Sequence, residues 1–161
     1  MKIMHIGVYD RNIGDNIAIR NLQRSIGMYI PDVQVVGLDL QKIWETNNSP
    51  RYMRALYDDF VRKGIDAIVV GGGGLLEFGG YGHFHSKWKL PFYEETLKFI
   101  EIPILFYGVG VNIFRGGIEY SPSAKKALQD TINQSKAFGI RNDGSYDKLK
   151  NWIGLDVSKV D

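Results

Sequence analysis

The most reactive side chains of the sequence lie in the glycine-rich segment 78–89, FGGYGHFHSKWK. Histidine titrates near neutral pH, so His83 and His85 are candidate catalytic acid–base residues. Anion binding and sugar stacking by the aromatic rings of this segment are alternatives, as is a flexible surface loop without function. The two histidines and Glu77 would suit a metal ion, but that ligand set is incomplete and we predict no metal site.

Two glycine clusters follow apolar stretches of the sequence. They comprise Gly71, Gly72, Gly73 and Gly74 in the first cluster, and Gly108, Gly110 and Asn112 in the second. Ordering glycine costs backbone entropy, so such clusters require either a tight turn or the close approach of another group. Because bare N–H groups beside a helix start favour phosphate or carboxylate, we expect both clusters to bind substrate.

Two further polar groups stand between a strand pattern and a helix pattern. They comprise Asn12, Gly14, Asp15 and Asn16 in the first group, and Arg141 and Ser145 in the second. Asn12 or Asp15 would serve equally as a helix cap or as a contact to sugar hydroxyls. Arg141 suits bidentate binding of a carboxylate or phosphate, or an ion pair between neighbouring loops.

The specific nucleotide-binding fingerprints are absent from the sequence. No Gly-x-x-x-x-Gly-Lys-Ser/Thr motif occurs, and the Gly-x-Gly pairs at 72 and 108 lack the third glycine. Asp39, at the end of a strand pattern, resembles a ribose-binding acid, which alone is weak support for a dinucleotide site.

Composition narrows the class of protein. The chain has 161 residues, 44% hydrophobic and 24% charged, which fits one globular domain. Its net charge of +2 gives no strong attraction to nucleic acid or anionic lipid, so we predict no nucleic-acid partner. Without cysteine, signal-peptide layout or a membrane-length apolar run, the chain is expected to be cytoplasmic with no transmembrane segment.

Hydrophobic periodicity predicts five strands that alternate with five helices. The strands are expected over 3–9, 33–38, 65–70, 102–107 and 136–140. Helices are expected from Asp15, Ser49-Pro50, Pro91, Ser121-Pro122 and about Asp143. This order predicts a doubly wound α/β domain, a Rossmann-like parallel sheet covered on both faces, over residues 1–161. Ligands bind such sheets at the carboxyl ends of the strands, where the polar groups and glycines would gather.

Taken in order, four segments resemble the polysaccharide pyruvyl transferase family. They are NIGDNIAIRNLQ, IVVGGGGLL, PILFYGVGVN and AFGIRNDGSYDKL, and the likeness covers nearly the whole chain. One departure is Arg141-Asn142, where the family has an Arg-Asp pair.

This resemblance implies a fold similar to one half of a two-domain GT-B glycosyltransferase, with the carboxyl-terminal half absent. It implies transfer of a pyruvyl ketal from phosphoenolpyruvate to a carbohydrate or lipid-linked sugar of a surface polysaccharide, with no cofactor beyond the donor. Asn12, Gly14 and Asp15 would face the cleft, and a second half or another copy would complete it. The alternatives are a nucleotide-sugar-binding glycosyltransferase-like domain and a non-catalytic binding or assembly module.

Overall fold

A computed structural model of the chain describes residues 1–9, 13–77, 84, 86, 88–112 and 120–161. Its centre is a five-stranded, all-parallel sheet in the order β2-β1-β3-β4-β5. The strands are β1 (Lys2–Gly7), β2 (Gln34–Asp39), β3 (Ala67–Glu77), β4 (Ile104–Asn112) and β5 (Ala137–Ile140). The predicted α/β, Rossmann-like class is therefore confirmed.

Six helices accompany the strands in the described residues. They are α1 (Ile13–Tyr29), α2 (Leu40–Trp44), α3 (Pro50–Arg62), α4 (Glu94–Leu97), α5 (Pro122–Gln134) and α6 (Ser145–Asp147), which continues as a π-helical turn, Lys148–Ile153. The two predicted Ser-Pro starts are confirmed, since Ser49 and Ser121 each accept a hydrogen bond from a first-turn N–H. No helix in the described part of the chain is long and apolar enough to cross a membrane.

Several predicted boundaries are wrong. Strand β3 does not stop before the glycines but continues through them to Glu77, because parallel pairing with β4 resumes beyond a bulge. Helix α1 begins at Ile13, so Asp15 lies in its first turn instead of capping it. Helix α4 begins at Glu94 instead of Pro91, and the sequence pattern missed the short helix α2.

The two faces of the sheet are covered unequally. The face packed against α2 through α6, which we call the covered face, carries the main core, including Ile68, Phe106 and Phe138. The other, which we call the open face, carries a much smaller buried cluster formed where Leu22 of α1 packs on the sheet.

The strand order places a topological switch point between β1 and β3. The chain leaves β1 in one direction, towards β2, and after crossing back it continues from β3 in the other. In open α/β sheets of this order, ligands bind at the switch point, outside the carboxyl ends of the strands. Helix α1 starts at this edge, so the glycines of β3 and the first turn of α1 meet there.

Candidate functional site

The glycine run of β3 is packed against the chain itself. A Cβ on Gly73 would lie 2.7 Å from the Asp15 carboxylate, and one on Gly72 would lie 2.6 Å from Ile19 of α1. A Cβ on Gly71 would overlap the carbonyl oxygen of Tyr107 in β4. The close approach expected from the sequence therefore exists, but the approaching groups are α1 and β4.

Two more glycines leave room for polar side chains at the carboxyl edge. The carboxamide of Asn112 occupies the space that a Cβ on Gly74 would need, and the guanidinium of Arg141 does the same above Gly110. Both side chains come from a neighbouring strand or strand end. The glycines thus act as platforms on which the polar groups of the site lie.

A chain of hydrogen bonds links the ends of β3, β4 and β5. Asn112 Nδ2 donates to the carbonyl of Gly74 (3.2 Å), and Asn112 Oδ1 accepts from Arg141 Nη2 (3.4 Å). Arg141 Nε lies 3.4 Å from the Asp143 carboxylate, an ion-pair distance. The structure therefore brings together Asn112 and Arg141, which the sequence placed in separate segments.

Ser145 connects this group to β4 by hydrogen bonds. Its hydroxyl donates to Asp143 and accepts from the N–H of Val111 (2.8 Å), and the residue is fully buried. Burial opposes ionisation of Asp143, but the bonds from Ser145 and the charge of Arg141 outweigh it, so the pKa of Asp143 lies below its usual value. Direct substrate binding by Ser145 stays a prediction, although its proton is already engaged within the protein.

Arg141 is the exposed cation of this group. Its side chain is 40% exposed. The contact to Asn112 is long, and Nε has no aligned hydrogen-bond acceptor among the described residues. Because Nε is buried beside Asp143, an incoming anion would meet the terminal Nη groups, which can donate paired hydrogen bonds. This is the geometry expected of a carboxylate or phosphate contact.

A second polar chain lies under α1, at the β1–β3 switch point. His5 is fully buried, its Nδ1 lies 2.6 Å from the Tyr9 hydroxyl, and its Nε2 lies 3.3 Å from the carbonyl of Gly71. Burial lowers the pKa of His5 to about 4, although the bond to Gly71 acts in the opposite direction. A neutral ring that donates from Nε2 and accepts from Tyr9 at Nδ1 satisfies both contacts. This burial gives His5 a structural role in the fold.

Tyr9, which contacts His5, and the nearby Asp39 belong to the same polar chain. Burial raises the pKa of Tyr9 to about 12, a bond from Gln23 lowers it, and the nearby Asp39 charge raises it. Asp39 accepts a bond from the N–H of Gln41 (3.1 Å) and caps α2. The similarity of Asp39 to a ribose-binding acid therefore has a simpler explanation in the fold.

The described part of segment 78–89 is buried. Trp88 is fully buried, and its Nε1 donates to the carbonyl of Phe92 (2.8 Å). The alternative that its ring stacks on a sugar is therefore wrong. Phe84 and Ser86 are also buried, which contradicts a surface loop at those positions. The candidate catalytic residues His83 and His85 lie outside the described residues, as does Asn12.

Glu77, which precedes this segment, pairs with Lys89, its last residue. Lys89 Nζ lies 2.7 Å from Glu77 Oε2, with both side chains mostly buried. Lys89 also lies 4.7 Å from the centre of the Trp44 ring, and Trp44 Nε1 donates to the Lys89 carbonyl (2.7 Å). The carboxylate considered for a metal therefore has a cation as its partner. Within the described ranges, no three His, Asp or Glu side chains group as metal ligands would.

The remaining predicted residues lie in two places. Gly14, exposed, and Asp15 and Asn16, both half-buried, form the first turn of α1, while Gly108 lies in β4 with a positive φ of 60°. Elsewhere, an open depression lies between α4 and α5, where Lys126 pairs with Glu94 and Asp130. Because its charges neutralise one another, the carboxyl edge is the better candidate site.

The fold and the edge define an α/β protein with a Rossmann-like parallel sheet and a polar, glycine-lined carboxyl edge. Residues 12–158 match the polysaccharide pyruvyl transferase family, so the chain belongs to that family. No curated protein and no solved structure was found to match it. Family membership supports a polysaccharide pyruvyl transferase-like function.

Proposed function

We propose that the carboxyl edge of this domain takes part in transfer of a pyruvyl group from phosphoenolpyruvate to a sugar, with Arg141 binding the donor. The observation that supports this is the exposed guanidinium of Arg141, held over Gly110 beside Asn112. Phosphoenolpyruvate carries a carboxylate and a phosphate, and either would accept paired bonds from a guanidinium.

The chemistry requires more groups than the described edge provides. Ketal formation needs a proton delivered to the vinyl carbon of the donor, a base on the sugar hydroxyl, and cations around the departing phosphate. Arg141 supplies one cation, and the nearby Lys148 ammonium already donates to the carbonyl of Val111 (3.2 Å). We therefore propose that a second protein half, in the same or another polypeptide, completes the cleft.

Binding is the direct test, because it does not depend on the second half. Calorimetry should detect phosphoenolpyruvate on the chain, and Arg141→Gln should weaken it about tenfold or more, as for loss of a charge-assisted hydrogen bond. Arg54→Gln is the matched control, since Arg54 is exposed on α3, where it pairs with Asp58 and lies over the Phe99 ring. Equal weakening of binding by both substitutions would show that Arg141 does not bind the donor.

The competing assignment is a nucleotide-sugar-binding domain at the same edge. Uridine or guanosine diphosphate sugars that bind the chain, with no competition from phosphoenolpyruvate, would replace our proposal by that one. Turnover should appear when a second half is present, in the same or another polypeptide. Replacement of both His83 and His85 by glutamine should then abolish it, whereas unchanged turnover would exclude them as the acid and base.

A further inference from the structure

No helix in the described part of the chain lies on the open face over β4 and β5, a region that we call the bare strip. On the covered face Ile104, Phe106 and Phe138 are at most 3% exposed, whereas Tyr107, on the other side of β4, is 56% exposed. Parallel sheets normally have both faces covered. The exposed ring of Tyr107, in a strand that has a neighbour on each side, therefore marks a face that lacks its cover.

Chain topology explains why all the described helices except α1 lie on the covered face. Crossovers between parallel strands are right-handed, so a change in direction along the sheet changes the face on which the helix lies. The chain moves one way from β1 to β2 and the other way thereafter. Among the described helices only α1 lies on the open face, where Ile19 and Leu22 pack on the glycines of β3.

The bare strip has the width of one helix. It spans β4, β5 and the end of the chain, where Val160 pairs in parallel with Phe138 of β5. Three strands spaced about 4.8 Å apart cover roughly 10 Å between the outer two, and an α-helix with its side chains is about 10 Å across. One helix would therefore fill the strip beside α1.

Helix α1 itself carries an apolar stripe directed away from its own sheet. Ile13, Ile17 and Met28 are 79%, 53% and 71% exposed. Ile17 and Met28 are about three helical turns apart and Ile13 is one turn before Ile17, so all three lie on the same side of the helix. Arg20 and Arg24, both exposed, lie on the same side of the helix, and their aliphatic stems can pack in the contact while the guanidinium groups reach its rim.

We infer that a second copy of this chain covers the open face. In a two-fold arrangement the sheets face each other, and α1 of each copy lies in the strip beside α1 of the other. The two helices then form one shared layer, in which the outer stripe of each packs on the partner's β4 and β5. The same patch serves on both copies, as a closed two-fold interface requires. This inference is independent of the donor proposed above.

Sedimentation equilibrium of the intact chain tests the interface. The chain should be a dimer whose dissociation constant rises at least about tenfold with Tyr107→Lys or Ile17→Lys, since each places a charge in the apolar contact. Val61→Lys is the control, because Val61 is 54% exposed on α3, on the other side of the molecule. Circular dichroism of each variant verifies that it is folded.

Disulfide trapping identifies the contact directly. The chain contains no cysteine, so single variants Ile17→Cys and Tyr107→Cys carry one thiol each. Mixing the two and oxidising should yield the mixed dimer, whereas Val61→Cys mixed with Tyr107→Cys should not. A monomer at all concentrations, or a dimer that resists both lysine substitutions, would overturn the inference. A monomer that instead binds a different polypeptide through Tyr107 would also overturn it.

Discussion

Leu105 and Phe106 are neighbours in β4 but have different surroundings. Phe106 is 2% exposed and packs between Phe92 and Phe138, with its ring centre 4.4 Å from that of Phe138. Leu105, on the open face, is only half-buried and packs at the margin of the small cluster. The same contrast holds along the sheet, since five of the described helices cover one face and, of these helices, α1 alone covers part of the other.

This difference separates stability from function within one sheet. The covered face contains the large apolar core, whose burial supplies most of the hydrophobic stabilisation. The open face instead holds a buried histidine, close-packed glycines and, at its carboxyl edge, the exposed Arg141. Substitutions on the covered face should therefore mainly lower stability, whereas those on the open face should also change pH dependence or donor binding.

The largest effect is expected for Phe106→Ala, which should lower the free energy of unfolding by about 3–5 kcal/mol, as for other buried aromatic truncations. Leu105→Ala is the matched control in the same strand and should lower it by about 1 kcal/mol, because less apolar area is lost. Urea denaturation measures both. Equal losses would contradict the unequal burial of Phe106 and Leu105.

Acid should lower the free energy of unfolding through His5, a buried residue of the open face. The pKa of His5 is about 4 in the folded protein and 6.5 without burial. The unfolded chain therefore binds the extra proton first, and stability falls as pH drops through this window. Between pH 7 and pH 5 the loss should be about 2 kcal/mol.

Urea denaturation across this range, with His5→Gln as the comparison, isolates the histidine. Carboxyl groups titrate mostly below about pH 5, so they contribute little to the slope. The glutamine variant should be less stable at pH 7 but nearly independent of pH above 5. A slope that survives the substitution would assign the effect to another group.

A smaller effect is expected at the glycine platform of the site. Gly110→Ala should displace the guanidinium of Arg141, cost on the order of 1.5 kcal/mol and weaken phosphoenolpyruvate binding. Gly108→Ala is the comparison, because its Cβ would meet open space and the strain comes only from its positive φ of 60°. It should leave Arg141 in place and weaken phosphoenolpyruvate binding less than Gly110→Ala does. Calorimetry measures both affinities, and equal losses would contradict the claim that Arg141 needs the space above Gly110.

The sequence predicted the parts of the fold that local signals determine. Ser49 and Ser121 were recognisable as caps before proline, and the alternation of strands and helices indicated a parallel sheet. Helix α2 was missed because five residues are too few for a helical period to emerge. The extension of β3 through its glycines was missed because pairing with β4, not propensity, keeps that segment extended.

The candidate site was predictable in its membership but not in its contacts. Asn112 and Arg141 could be assigned to strand ends at one edge of the sheet. That the two side chains lie on Gly74 and Gly110 depends on the register of three strands, which no local pattern encodes. The burial of Trp88 was also not predicted, because its aromatic and basic neighbours in the sequence are typical of exposed binding loops.

The pairing of each polar group with a glycine has a consequence for the evolution of the family. Positions 74 and 112, and positions 110 and 141, share a space that only one side chain of each pair can fill. A lineage that acquires a side chain at position 110 must first lose, or reorient, the arginine at 141. Related sequences should therefore vary at these positions in pairs, so that covariation across the family would record which members keep the cation.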